Sequence, residues 1–414
     1  MAKDLAGPPP VAHSVSEVEG QLGNLWARAA VVRADAARAE AELVAAQAEA
    51  AARAAATLAA SRATSDAGGH HVAARTSVLN LVVLAGNEAT ARSCAATIAA
   101  TAGRHASRSL ILTAVDLEGP AGLDARVEAV AQTTPDGRAE TGAEMIYATA
   151  HGETGSHLAS IIVPLLVHDL PVALWWPADP PFGSRRAERL LPIADRLIVD
   201  GSGWSDSGLE LLAQLATVAK ERRLVVMDWA LLRQTRWREA LASVYDLPDL
   251  RPHLGAVRRI EVVYAAKEPG DKCGETNVVR PLYHVAWLAS RLGMSVMAPL
   301  HRQDDGHRVA TLRQSGHEVE VVLTPTMSEL GAGSTVRVEM TSRLRGAELI
   351  GNATAGDHDV TVSILDNGRE RVHRIFAAPR LTDVDLLGRA VEEGAADPVS
   401  VYALATAGRL LGVD

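Results

Sequence analysis

Arg280, His284, Trp287 and Arg291 stand at i, i+4, i+7 and i+11, the spacing that puts four side chains on one face of a helix. Two guanidiniums with an indole between them suit a grip on an anion or on an acidic partner surface. A solvated face with Trp287 partly packed is the other reading. Val285, Leu288, Ala289 and Leu292 make the opposing apolar face. The second constellation is Asp169-Leu-Pro-Val-Ala-Leu-Trp-Trp-Pro-Ala-Asp-Pro-Pro-Phe182, a short apolar strand, Val172 to Trp176, that breaks into a proline-dense loop. Neighbours on a strand point to opposite faces, so Trp175 and Trp176 diverge. Either one fills a core while the other looks out over the loop, or both pack and join two layers. Pro177, Pro180 and Pro181 fix φ and remove donors, leaving a stiff loop, a common place for binding.

Other chemistry finds little support. Leu84-Ala-Gly-Asn-Glu supplies one glycine where a dinucleotide fingerprint requires three, and Gly201-Ser-Gly-Trp-Ser-Asp206 puts an acid where the third belongs. No phosphate loop of the Walker type is present, and no nucleotide cofactor is expected. His151, His157 and His168 are separated by six and eleven residues, which does not gather them on one helix face, so no metal site is expected. There is no Gly-x-Ser-x-Gly elbow. Cys94 and Cys273 lie in no ligand spacing and read as reduced thiols. Trp229, Arg233 and Trp237, each four apart, read as a packing stripe. No catalytic residue is assigned.

The elements that must position these groups alternate. Of 414 residues, 48% are hydrophobic, enough for two or three cores, and the formal net charge of −9 argues against nucleic-acid binding. The first ten residues hold no signal-peptide core, and the longest apolar run, Leu158 to Trp176, carries Pro164, His168, Asp169 and Pro171, against a membrane span. A soluble, cytoplasmic protein is expected. Residues 1–13 read as a disordered tail, and 14–70 as a long alanine-rich helical arm with a linker, Ser14 or Ser16 capping its start. Residues 71–253 alternate strands and helices, which predicts a largely parallel, covered sheet. Ser207 and Glu210 are spaced as a capping box, and Asp228 as the cap of a helical run to Val244. Residues 254–414 read as an α+β domain: strands at 257–266, 307–314, 317–324, 334–343, 358–365 and 370–377, a helix at 279–292 and two closing helices. Asn367-Gly368 is the strongest hairpin signal.

Several segments together resemble the glucose-6-phosphate dehydrogenase assembly protein OpcA family. They include Ser16-Glu-Val-Glu-Gly-Gln-Leu-Gly-Asn-Leu-Trp26, Arg75-Thr-Ser-Val-Leu-Asn-Leu-Val-Val83 and Ser107-Arg-Ser-Leu-Ile111. Asp169-Leu-Pro-Val-Ala-Leu-Trp-Trp-Pro177, Asp195-Arg-Leu-Ile-Val-Asp200, Asp228-Trp229 with Arg236-Trp-Arg-Glu239, and Ala286-Trp-Leu-Ala-Ser-Arg-Leu-Gly293 follow in the family's order along nearly the whole chain. The arm at 27–63 is longer than the family usual, and Arg236 replaces a frequent proline. No cysteine follows Cys273, so the C-terminal redox switch of some cyanobacterial members does not carry over. The resemblance implies a non-catalytic accessory protein that binds glucose-6-phosphate dehydrogenase and favours its active oligomer. Trp175, Trp176, Pro177, Asp179, Pro180 and Phe182, with the Arg280, His284, Trp287 and Arg291 face, are then the candidate partner contacts. The competing reading is a sugar-phosphate-binding enzyme or sensor with Arg280 and Arg291 as its anion grip.

Overall fold

A computed structural model describes residues 11–25, 27, 78–102, 104–115, 118–133, 140–392 and 397–413. Helix α1 covers residues 15–25. Ser14 Oγ accepts the Glu17 amide at 3.2 Å and the Glu17 carboxylate accepts the His13 amide at 2.8 Å, a reciprocal cap. Just before it, Ala12 exchanges two backbone hydrogen bonds with Ala125, at 2.7 and 2.8 Å. Residues 11–13 are thus tied to a sheet edge rather than forming part of a loose tail. The alanine-rich run and its linker lie outside the described residues.

The first layer set runs β1 (Leu79–Ala85), α2 (Glu88–Thr101), β2 (Ser107–Val115), β3 (Gly122–Thr133), β4 (Glu140–His151), α3 (Leu158–Leu165), β5 (Val172–Trp176), α4 (Arg185–Leu190), β6 (Arg196–Val199), α5 (Leu209–Arg222) and β7 (Val225–Asp228). These strands form one sheet in the order β3-β4-β2-β1-β5-β6-β7, parallel throughout except for the β3–β4 hairpin. β1 and β5 are buried at every position and apolar except for Asn80, whose side chain is spent on the backbone of Val167 and Leu170. Without the β3 edge, the order is that of the doubly wound dinucleotide-binding sheet, with its switch point between β1 and β5.

The second set begins with α6 (Trp229–Leu232) and α7 (Thr235–Val244) and continues through β8 (Val257–Ala265), α8 (Val279–Arg291), β9 (Ser295–Arg302), β10 (Arg308–Gln314), β11 (His317–Thr326), β12 (Thr335–Leu344), β13 (Ala347–Ala355), β14 (Asp359–Asp366) and β15 (Arg369–Ala377). This eight-stranded sheet, β15-β14-β13-β12-β8-β11-β10-β9, is antiparallel except for β8 beside β11. The Asn367-Gly368 hairpin forms as expected: φ is 47° and 80° at its two central residues, and Asp366 faces Arg369. β9 and β13 escape a reading by pattern, since each carries a strand breaker. Pro299 sits in edge strand β9, where a missing donor is tolerated. Gly351 sits in β13 because an added Cβ would lie 2.3 Å from Tyr245 Oη.

The chain ends with α9 (Asp383–Glu392) and α10 (Pro398–Leu410), which return to the first sheet. α9 packs on α2, and α10 lies against α5 and α8. The apolar core therefore falls into two clusters, one on each face of the parallel sheet. Among the described residues no helix is long and apolar enough to cross a membrane.

Candidate functional site

Trp175 and Trp176 diverge as strand geometry requires, but neither looks out. Trp175 is 3% exposed and packs in the α2–α9 core, its ring 5.1 Å from that of Trp229. Trp176 is 4% exposed in the opposite core and meets Phe182 edge-on at 6.2 Å. The pair rivets two layers through the central strand. In the loop beyond, Ala178 and Asp179 are exposed, Pro177 and Phe182 half-buried and Pro180 buried. Asp179 does not dangle: its carboxylate accepts the Ser205 amide at 3.2 Å and locks this loop to the one after β6.

α8 also differs from the expected two-faced helix. His284 is 2% exposed and Trp287 is 8% exposed, and every residue from Pro281 to Ala289 is buried. A helix wedged between a second sheet and the end of the first has no free face. The His284 ring packs against that of Trp237 at 5.2 Å between centroids, tilted by 55°. Burial, with Arg238 and Arg280 nearby, pushes its pKa down to about 3, so the imidazole stays neutral. Arg280 and Arg291 do not converge either. Eleven residues of helix separate them by roughly 16 Å, and they line different hollows.

What meets at the carboxyl ends of β6 and β7 is a closed lock. Asp228 accepts the amides of Gly201 at 2.9 Å and Ala230 at 2.8 Å, and the Tyr283 hydroxyl donates to it at 2.8 Å. Burial raises its pKa to about 6 against the pull of those donors, and Asp200 adds to the rise. Asn277 donates to the carbonyls of Gly201 at 2.9 Å and Trp204 at 3.1 Å. Gly201 is obligatory here: an added Cβ would stand 2.8 Å from both Asp228 Oδ2 and Val279 Cγ1. Gly208, at φ 71°, starts α5 in place of the expected Ser207–Glu210 box, because its Cβ would lie 2.6 Å from Val279. Asp228 caps α6 as expected, but the helical run breaks between α6 and α7.

The sheet order implies a dinucleotide, and the residues present do not fit one. In such proteins the first helix N-terminus faces the pyrophosphate. Here the Asn87 side chain takes the Thr90 amide at 2.8 Å, and Glu88 adds negative charge to the same turn. Beyond β6 and β7, Asn277 and Tyr283 hydrogen-bond to the two loops, and Val279 closes on Gly201 and Gly208.

Beside this lock lies an open cleft of about 360 Å³, where α6–α7 and the first turn of α8 meet the ends of the second sheet. Four arginines line it: Arg233, Arg236, Arg280 and Arg380. Arg233 is pinned by Asp200 at 2.7 Å, and Arg236 pairs with Glu239 at 2.8 Å. Arg280 donates to Ser334 Oγ at 3.1 Å. Its pKa is lowered, first by burial and then by Arg233, with Asp200 opposing and Arg380 adding to the fall. Arg233 belongs to the Trp229–Arg233–Trp237 stripe, whose spacing was legible. Asn277 and Arg380 carried no local signal, since their partners are remote in sequence.

The arrangement defines a doubly wound α/β protein docked on a largely antiparallel sheet, with the N-terminus of its first sheet helix capped by its own side chain. Comparison with known proteins makes this specific. Residues 98–217 match the model described as glucose-6-phosphate dehydrogenase subunit N-terminal domain, and residues 225–405 match that of the C-terminal domain. The chain belongs to the OpcA family of glucose-6-phosphate dehydrogenase assembly proteins. It is 30% identical over 148 residues to the OxPP cycle protein OpcA of Synechocystis, a stretch covering 35% of this chain and 29% of that one. To its namesake in Nostoc punctiforme it is 27% identical over 183 residues, 43% of this chain and 37% of the other. The matched stretches thus span well under half the length of these relatives. Among solved structures, the oxidoreductase yvaA of Bacillus subtilis overlays with a TM-score of 0.43 at 11% identity, covering 81% of this chain and 95% of that one. So loose a likeness carries no argument.

Proposed function

We propose that this protein is a non-catalytic accessory subunit that binds glucose-6-phosphate dehydrogenase, favours its active oligomer and so supports the oxidative pentose phosphate pathway. Family membership is the observation that carries the reading. The capped α2 N-terminus supports it, since that position is used for the chain's own folding. An accessory subunit acts by binding one state of its partner better than another. A preference of about 1–3 kcal/mol shifts the equilibrium roughly five- to 150-fold.

The buried members of the candidate set, Trp175, Trp176, His284 and Trp287, serve this role as scaffold. The accessible ones, Asp179 with its neighbour Ala178 on the proline loop and Arg291 at the end of α8, are the proposed contacts. The test is co-purification with the same organism's dehydrogenase, followed by its rate and oligomeric state with and without this chain. Ala178→Arg and Arg291→Glu, both at exposed positions, should each weaken association about tenfold without changing the fold. A dehydrogenase whose assembly and rate ignore the added protein refutes the proposal.

A further inference from the structure

The arginine cleft is not absorbed by the dehydrogenase reading, and two of its arginines touch no carboxylate among the described residues. Of its four arginines, Arg233 and Arg236 have carboxylate partners in Asp200 and Glu239. Among the described residues neither Arg280 nor Arg380 has one. Arg280 is held in place: its carbonyl accepts Gln234 Nε2 at 2.6 Å, and its guanidinium spends one donor on Ser334 Oγ at 3.1 Å. A guanidinium carries five N–H donors in a planar fork, so most of its capacity is left over. Arg233, Arg280 and Arg380 lie close enough for each of the outer two to depress the pKa of Arg280. Asp200, bound to Arg233, offsets part of this repulsion, and a bound anion between Arg280 and Arg380 would relieve the rest.

We propose that this cleft binds the phosphate-monoester dianion of a sugar-sized metabolite, with Arg280 as its central ligand and Arg233 and Arg380 flanking it. A phosphate monoester carries close to two negative charges at neutral pH, matching the two unpaired guanidiniums. Arginine forks suit phosphate oxygens bidentately. The volume of about 360 Å³ lies within the range of small-molecule sites. The far wall carries Asp357 and Asp359, poorly placed for a second anionic group but able to accept hydroxyls. Neutral His284 and the Trp237 ring supply an uncharged wall for the body of the ligand.

The experiment is calorimetry on the full chain with glucose 6-phosphate, glucose and inorganic phosphate. Saturable binding of glucose 6-phosphate is expected, at least tenfold tighter than inorganic phosphate, with no heat from glucose. Arg280→Gln should weaken it tenfold or more, Arg380→Gln severalfold, and Arg291→Gln not at all. Arg380 is exposed and without a carboxylate partner, so its variant keeps the test valid if Arg280→Gln fails to fold. The proposal is overturned by the absence of saturable binding, by equal affinity for inorganic phosphate, or by unchanged affinity in Arg380→Gln. None of these outcomes depends on the dehydrogenase being the partner.

Discussion

Replacing His284 with glutamine should reverse the sign of one part of the protein's acid response. His284 has a pKa of about 3 folded against 6.5 unfolded, so the folded state refuses a proton that the unfolded chain accepts. Its contribution is nil above the unfolded value, and stability is lost as pH falls below 6.5. Between pH 7 and 5 that loss is about 2 kcal/mol. Asp228, one helix layer away, works in the opposite sense. Its pKa rises from 3.8 to about 6 on folding, so the folded state binds a proton more readily. That stabilisation is complete below 3.8 and disappears as pH rises through 6. Going from pH 7 down to 5 it restores about 1 kcal/mol. The two buried groups therefore partly cancel in the parent. Urea unfolding at pH 7 and pH 5 reads each group by difference. His284→Gln should change the pH 7-to-5 stability difference by about 2 kcal/mol in favour of acid. Asp228→Asn should change it by about 1 kcal/mol the other way. If His284→Gln loses as much stability on acidification as the parent, the imidazole is not held neutral in the core and the account of α8 fails.

Two further substitutions test the packing around the site. Trp175→Ala removes an indole from a closed core and its tilted ring contact with Trp229, and should cost about 3–5 kcal/mol in urea unfolding; a near-neutral result would mean the ring is a surface contact after all. Gly201→Ala puts a methyl group against Asp228 and Val279 and should cost about 1–3 kcal/mol, seen as a lowered thermal midpoint with no change in helix content at low temperature.

Local sequence carries what local physics decides. The strand Val172–Trp176 was legible to the residue because five apolar residues are followed by prolines that cannot extend it. The Asn367-Gly368 hairpin was legible because few other pairs accept positive φ twice. Asp228 announced a cap, and the alternation of strands and helices announced a largely parallel sheet. The absence of three glycines at the first turn was equally readable, and Asn87 and Glu88 complete that account.

Burial of a polar-looking face is not a local property. Arg280, His284, Trp287 and Arg291 have the spacing of an exposed stripe, yet only the docking of α8 between two sheets decides that His284 and Trp287 lie inside. The arginine cleft has the same origin. Arg233, Arg280 and Arg380 come from three distant segments, and no window of sequence contains their proximity. The chain by itself dictated most of the described strands and helices, the Asn367-Gly368 turn and the family resemblance, since these depend on neighbours a few residues away. Which side chains face one another across the two layers was decided only when folding closed loops of up to a hundred residues or more, from Arg280 to Arg380.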